Sequence, residues 1–167
     1  MAQKKIYLIR HGKAAMEGSD RDRNLDEDGK VQAISLCKKI KKEFQDKKIK
    51  IFSSPFARAV QTVKNLSQDM NVQIEQITSL EEIKMGKDPK LSKHQIIEKM
   101  WSDKNFKTED GVSQSEHVNN IKVELDKIFD NFYNSEYDLI LVSHGNSIGI
   151  ILKYFFNIQF AFEDWKK

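Results

Sequence analysis

The chain has 167 residues, of which 39% are hydrophobic and 32% charged, with a formal net charge of +3. That length predicts one domain, residues 1–167, with enough chain for a sizeable core. The near-balanced charge and the lack of a basic patch interleaved with aromatics argue against nucleic acid, and no apolar run reaches the length of a membrane span. A lone Cys37 rules out an internal disulfide and fits a reducing compartment, and the N-terminus lacks the apolar stretch of a signal peptide. A cytoplasmic location is therefore expected, while the oligomeric state stays open.

The first element is Ile6 to Ile9, four apolar residues in a row, which suit a strand covered on both faces. It stops at Arg10-His11-Gly12, where Gly12 allows a sharp turn. Met16 to Asn24 is polar, holds Arg21 and Arg23, and reads as a surface loop at the rim of a site. Asp26 or Asp28 can cap a helix running to about Phe44, with the stripe Val31, Ile34, Cys37, Ile40 and Phe44. Cys37 lies on that stripe and reads as buried filler. The basic run from Lys38 to Lys42 spreads its charges around the helix and reads as a solvated face. Gln45 to Lys48 is a connection, and Ile49 to Phe52 a second buried strand.

Ser53-Ser54-Pro55 opens a helix from about Phe56 to Asp69, with Arg58 in the first turn, where free N–H groups and the helix dipole favour anions. Val72 to Thr78 reads as a third strand. Leu80 to Gly86 follows and carries Glu81 and Glu82, and Asp88-Pro89-Lys90 is a turn. His94 to Met100 forms a short helix, and Trp101 to Ser113 is loop-like, part of a lid or rim. A helix from about His117 to Tyr133 has the stripe Val118, Ile121, Leu125, Ile128, Phe129 and Phe132. His94 and His117 read as structural or exposed. Strand Asp138 to Val142 leads through Ser143-His144-Gly145-Asn146-Ser147 into an apolar helix, Ile148 to Phe156. This order predicts an α/β fold in three layers, a mostly parallel sheet with helices on both faces.

The chain uses one device twice. An apolar strand ends in His11-Gly12, and another ends in His144-Gly145. In open α/β sheets, ligands bind at the carboxyl ends of the strands. Arg10 offers a fixed fork of donors that fits phosphate, and a neutral histidine beside it offers a ring nitrogen that can attack phosphorus. Placed after a strand, Arg58 should point to the same edge. Metal binding is the rival explanation for two convergent histidines. Four histidines, one cysteine and no close His-x-x-x-His spacing argue against it, and no glycine-rich nucleotide fingerprint is present. No cofactor or metal is expected.

These motifs resemble the histidine phosphatase superfamily, which includes the phosphoglycerate mutases. The resemblance rests on Arg10-His11-Gly12, on Leu25 to Gly29, on Ser53 to Thr62, on Leu80 to Gly86 and on the second His-Gly at 144–145, together spanning Ile6 to about Leu152. It implies the fold of the phosphoglycerate mutases. It also implies a phosphohistidine intermediate on His11, with phosphate binding by Arg10, Arg58 and a protonated His144. Glu82, at the family position set by Leu80 and Gly86, is implied as the acid, and Glu81 is left as a solvated neighbour. Gly12, Gly145 and the rim residue Arg23 are expected to line the substrate pocket.

Certain departures bear on the substrate. Many relatives have Ser or Thr where Ala14 stands, Asn where Glu17 stands, and Glu in place of Val112; the Glu-Gly pair that often follows Gly86 is also absent. The opening Arg-His-Gly-Lys-Ala-Ala is more like the short phosphohistidine phosphatases, yet Glu81 to Ser115 is longer than their counterpart. The resemblance implies a metal-independent phosphatase acting on a small phosphorylated metabolite or a phosphohistidine protein. The alternatives are a phosphoglycerate mutase-type phosphotransferase, for which the chain has little room, and a catalytically silent phospho-ligand-binding module.

Overall fold

Four strands form one sheet in the computed structural model, which describes residues 4–44 and 47–165. In chain order the elements are β1 (Ile6–Arg10), α1 (Glu27–Glu43), β2 (Ile49–Ser53), α2 (Ala57–Met70), β3 (Ile74–Gln76), α3 (Lys93–Ser102), α4 (Gln114–Tyr133), β4 (Asp138–Ser143), α5 (Gly145–Phe155) and α6 (Phe162–Trp165). Gln45 and Asp46 of the expected connection, and the terminal Lys166 and Lys167, lie outside the described residues. The strand order is β1-β4-β2-β3, and every pairing is parallel. The chain therefore has the α/β architecture that its strand and helix order predicts.

Alternation along the strands divides the core. Ile140 and Val142 of β4 face a cluster with Ile40 of α1, Phe44 just after it, and Ala59, Val63 and Leu66 of α2. Leu139 and Leu141 face the other way, onto Leu125, Ile128 and Phe129 of α4 and Ile151 of α5. Successive side chains of a strand point to opposite faces, so a strand covered on both sides must be apolar throughout. These four β4 residues are fully buried, and each such side chain stabilises the fold by about 1.5–3 kcal/mol. A third cluster joins Ile83, Ile97, Met100, Trp101 and Ile150 beyond the carboxyl edge.

Several boundaries differ from the sequence expectation. In α1 the buried positions are Gly29, Ala33, Cys37 and Ile40, whereas Val31 and Ile34 are 63% and 45% exposed. The reason is local. The first turn lies directly on the Lys13 backbone, and a Cβ on Gly29 would sit 2.0 Å from the Lys13 carbonyl oxygen. Small residues fill the near side, and the larger ones turn outward. Asp26 is the cap, its carboxylate accepting from the Gly29 N–H at 2.8 Å.

The third strand is shorter than Val72–Thr78, and Trp101 and Ser102 belong to α3. The remainder of the expected loop is tied to the Leu80–Gly86 segment. Thr108 Oγ1 donates to the Met85 carbonyl at 2.8 Å, and the Val112 N–H donates to the Lys84 carbonyl at 2.7 Å. The last main helix begins at Gly145, three residues earlier than expected, with His144 at its N-cap position. The short α6, which no pattern in the sequence predicts, packs on α3 and α5. His117 is buried, with no hydrogen-bond partner for its Nε2, and His94 is exposed beside the Phe162 ring.

Candidate active site

The strand register builds the site. Arg10 of β1 pairs with Ser143 of β4, so the next residues, His11 and His144, leave neighbouring strands side by side. The His11 N–H donates to the Ser143 carbonyl at 3.0 Å, and the two imidazole rings lie 4.9 Å apart between centroids. On the other side of β4, Ser53 pairs with Val142, which brings Ser54 to the same edge. Arg58, in the first turn of α2, points inward and is 3% exposed. Its Nε donates to His11 Nε2 at 3.2 Å and its Nη2 to His144 Nδ1 at 3.2 Å.

These contacts fix both tautomers. The Gly12 carbonyl lies 2.7 Å from His11 Nδ1, and a carbonyl can only accept, so Nδ1 carries the proton. His11 Nε2 therefore presents its lone pair to the site. Arg58 can only donate, so His144 Nδ1 is the acceptor, and its Nε2–H donates to Ser54 Oγ at 2.8 Å. Burial, first of all, and then the charges of Arg58, Arg10 and Arg23 push the His11 pKa down to about 4, against the hydrogen bond to Gly12. Burial, with His11 and the same three arginines, pushes His144 down to about 2. Burial among cations, and the bond it already accepts from one of them, favour the neutral His144 ring, so the protonated ring expected from the sequence needs the counter-charge of a phosphate.

Glu82 reaches the site from the segment after the 3-10 turn Thr78–Leu80. Its Oε1 accepts from the Ser147 N–H at 3.0 Å, from Ser147 Oγ at 3.0 Å and from the Ile83 N–H at 3.1 Å. Its Oε2 has two longer contacts, from the Asn146 N–H at 3.3 Å and from Asn146 Nδ2 at 3.4 Å. Burial raises its carboxyl above the ordinary range despite these donors. Glu81 points elsewhere and pairs with Arg21 at 2.9 Å. The adjacent carboxyls thus differ in surroundings, one enclosed and one at the rim.

A cavity of about 1480 Å³ opens over these groups, lined by Arg10, His11, Gly12, Arg23, Arg58, Glu82 and Gly145 among others. His144 lies beneath it, fully buried against the Phe56 ring. Every site residue expected from the sequence is therefore at this edge, though Arg10 is exposed along the wall and Arg23 is turned into an ion pair with Asp20. Four contributors went unassigned in the sequence. Ser54 fixes the His144 tautomer, Asn146 and Ser147 hold Glu82, and Asp20 meets Arg58 through its backbone carbonyl and, at 3.4 Å, its carboxylate. Asn146 and Ser147 could have been found, because they directly follow the second His-Gly at a helix start. Asp20 carries no such signal in a polar loop. Among the described residues no three His, Cys, Asp or Glu side chains gather into a group able to hold a metal ion, and no helix is long and apolar enough to cross a membrane.

The family model for the histidine phosphatase superfamily, branch 1, matches residues 6–166. The chain belongs to that superfamily. No curated protein sequence matches it significantly. Among solved structures, this histidine phosphatase is similar to a mycobacterial glucosyl-3-phosphoglycerate phosphatase in complex with inorganic phosphate. The identity is 19% and the TM-score 0.77, over 98% of this chain and 83% of that one. A phosphoserine phosphatase mutant from Entamoeba histolytica, solved with phosphoserine, is 24% identical with a TM-score of 0.69, over 93% and 81% of the two chains. A protein from Agrobacterium tumefaciens, provisionally the phosphohistidine phosphatase SixA, scores 0.55 at 20% identity, over 90% and 74%. These likenesses show a shared fold.

Proposed function

We propose that this histidine phosphatase hydrolyses phosphomonoesters through a covalent phosphohistidine on His11, and that the chain acts as one domain, residues 1–167. The observation that carries the reading is the His11 ring. Its Nδ1–H is tied to the Gly12 carbonyl, its unprotonated Nε2 accepts from Arg58 at the cavity wall, where an arriving phosphoryl group would take over Arg58, and its low pKa keeps it neutral and nucleophilic. Arg58, Arg10 and Arg23 surround it with positive charge, which phosphoryl transfer needs more than covalent assistance.

In the first step Nε2 forms a bond to phosphorus while the bond to the leaving oxygen breaks, and Glu82 gives that oxygen its proton. In the second step Glu82, now ionised, takes a proton from water as the water oxygen bonds to phosphorus and the N–P bond breaks. His11 is restored and inorganic phosphate leaves. An arriving dianion supplies the counter-charge that His144 lacks, so its ring can take a proton and join the arginines as a phosphate ligand. The cationic ring performs the charge neutralisation that a metal provides elsewhere, so no metal or other cofactor is required.

The structurally similar enzymes named for glucosyl-3-phosphoglycerate and phosphoserine support a small phosphorylated metabolite as substrate, and the large open cavity gives room for one. A phosphohistidine protein is the second class, suggested by the likeness to the SixA-like protein. The test is acid-quench trapping with a labelled phosphomonoester in the presence of a chelator. Acid-labile, base-stable label on the wild type and none on His11→Ala is the expected result. Full turnover by His11→Ala would overturn the reading.

A further inference from the structure

We propose that Ser147 is a positioning residue that selects which oxygen of Glu82 carries the transferable proton. The inference rests on the reading of Glu82 as the acid and base of the reaction. A carboxylate oxygen has two lone pairs. Around Glu82 Oε1 lie the Ser147 N–H and two donors shared with other acceptors, the Ser147 hydroxyl and the Ile83 N–H, all within 3.1 Å. The oxygen that accepts more and shorter hydrogen bonds is the poorer place for a proton. Oε2 meets only Asn146, at 3.3 and 3.4 Å. The proton therefore resides on Oε2, and that oxygen both gives it to the leaving group and takes one back from water.

The supporting structure is fixed. Ser147 is fully buried in the first turn of α5, three residues after His144, so the helix that positions one side of the phosphate site also holds the acid. Asn146 is itself held, its Oδ1 accepting from the buried Trp101 Nε1–H at 3.2 Å. The Ser147 hydroxyl hydrogen has a competing acceptor, the Glu81 carbonyl at 2.8 Å, and its oxygen also accepts from the Ile83 N–H at 3.0 Å. Two roles are therefore possible for the hydroxyl, proton placement on Glu82 or bracing of the Glu81–Ile83 backbone, and they differ in what they do to titration. The charged and titratable groups lining the cavity with Glu82 are Arg10, His11, Lys13, Asp20, Arg23, Arg58, Glu81, Lys84, Lys87, Asp88, Lys93 and Asp110, with His144 beneath, and changing Ser147 substitutes none of them.

A hydroxyl that donates to Glu82 stabilises the carboxylate, so removing it raises the pH at which Glu82 ionises. In Ser147→Ala and the near-isosteric Ser147→Cys, the alkaline limb of kcat/KM for an alkyl phosphate should move up by about one pH unit. The acid limb of phosphoenzyme hydrolysis, followed in single-turnover experiments, should move up with it. Thermal unfolding identifies which variants are folded, and one folded variant suffices. Unmoved limbs with a lowered rate mean that Ser147 only braces the backbone, and the inference falls. Glu82→Gln separates this from a failure of the underlying reading. If that variant retains full activity on the alkyl ester, Glu82 is not the acid, and the role of Ser147 falls for that different reason.

Discussion

Arg58 spends its donors on protein atoms, and one set of those atoms belongs to Asp20. The Asp20 carbonyl accepts from Nη1, its carboxylate lies 3.4 Å from Nη2, and the same carboxylate pairs with Arg23. A phosphoryl dianion that takes up Arg58 must displace this carboxylate and overcome its repulsion. At 3.4 Å and an effective dielectric of about 20, the attraction of one such pair is on the order of 5 kcal/mol. The Asp20 side chain is 60% exposed, however, so screening leaves roughly 0.2–1 kcal/mol per pair, or about 0.4–2 kcal/mol for the two arginines together. Asp20→Asn keeps the size and the backbone carbonyl while removing the charge. Its inhibition constants for inorganic phosphate and vanadate should therefore fall by about 2–30-fold. Isothermal titration of phosphate into both proteins at moderate salt provides an independent check. Unchanged or weaker anion binding by Asp20→Asn would show that the carboxylate does not compete, and would refute the reasoning.

Three other perturbations have definite expected outcomes. Glu82→Gln should slow single-turnover phosphorylation of His11 by an alkyl phosphate by about 10²–10⁴-fold and by much less with a nitrophenyl ester, whose oxygen leaves without a proton; equal slowing with both esters would count against the acid role, with Glu81→Gln as control. Gly29→Ala places a methyl against the Lys13 carbonyl and should cost about 1–3 kcal/mol, seen as a fall in Tm of about 3–10 °C; an unchanged Tm would mean that the first turn of α1 is free to shift. Burial lowers the His117 pKa to about 4, below its unfolded value, so its neutral form contributes stability that is complete above about pH 6.5 and is lost as pH falls from there towards 4. His117→Gln should flatten that part of a denaturant-derived stability profile, and a wild type that gains stability on acidification through this window would contradict the sign.

The strand ends were the legible part of the sequence. Apolar runs stopping at Arg10-His11-Gly12 and at Ser143-His144-Gly145 located the nucleophile candidate and its neighbour, although only β4 is buried throughout as expected, while β1, at the end of the sheet order, is half-buried. Glu82 was separated from Glu81 by its spacing from Leu80 and Gly86, and the structure encloses the first and leaves the second at the rim. Protonation was not legible. The push of His144 towards its neutral form comes first from burial and then from charges such as that of Arg58, 86 residues away along the chain. The buried face of α1 was also hidden, because Gly29 and Ala33 look weak beside Val31 and Ile34 on any hydropathy scale. What decides that face is how closely two backbones approach, a tertiary property. Asp20 lay outside reach for a similar reason, since nothing in a run of polar residues marks the one that folds back onto an arginine.

The order β1-β4-β2-β3 also has a consequence for synthesis. Of the two interior strands, β4 comes from residues 138–143, late in the chain, and among the described residues β1 pairs in the sheet with β4 alone. As the chain leaves the ribosome, β2 and β3 can pair at once, while β1 waits with its two faces uncovered and His11 without its neighbour. Closing this gap joins segments more than 130 residues apart, which delays the last folding event until β4 has emerged. Nascent chains interrupted before that point hold Arg10, His11 and Arg58 but no edge on which to assemble them. Prematurely terminated products should therefore be inert towards phosphate esters and prone to capture by chaperones that recognise unpaired strands.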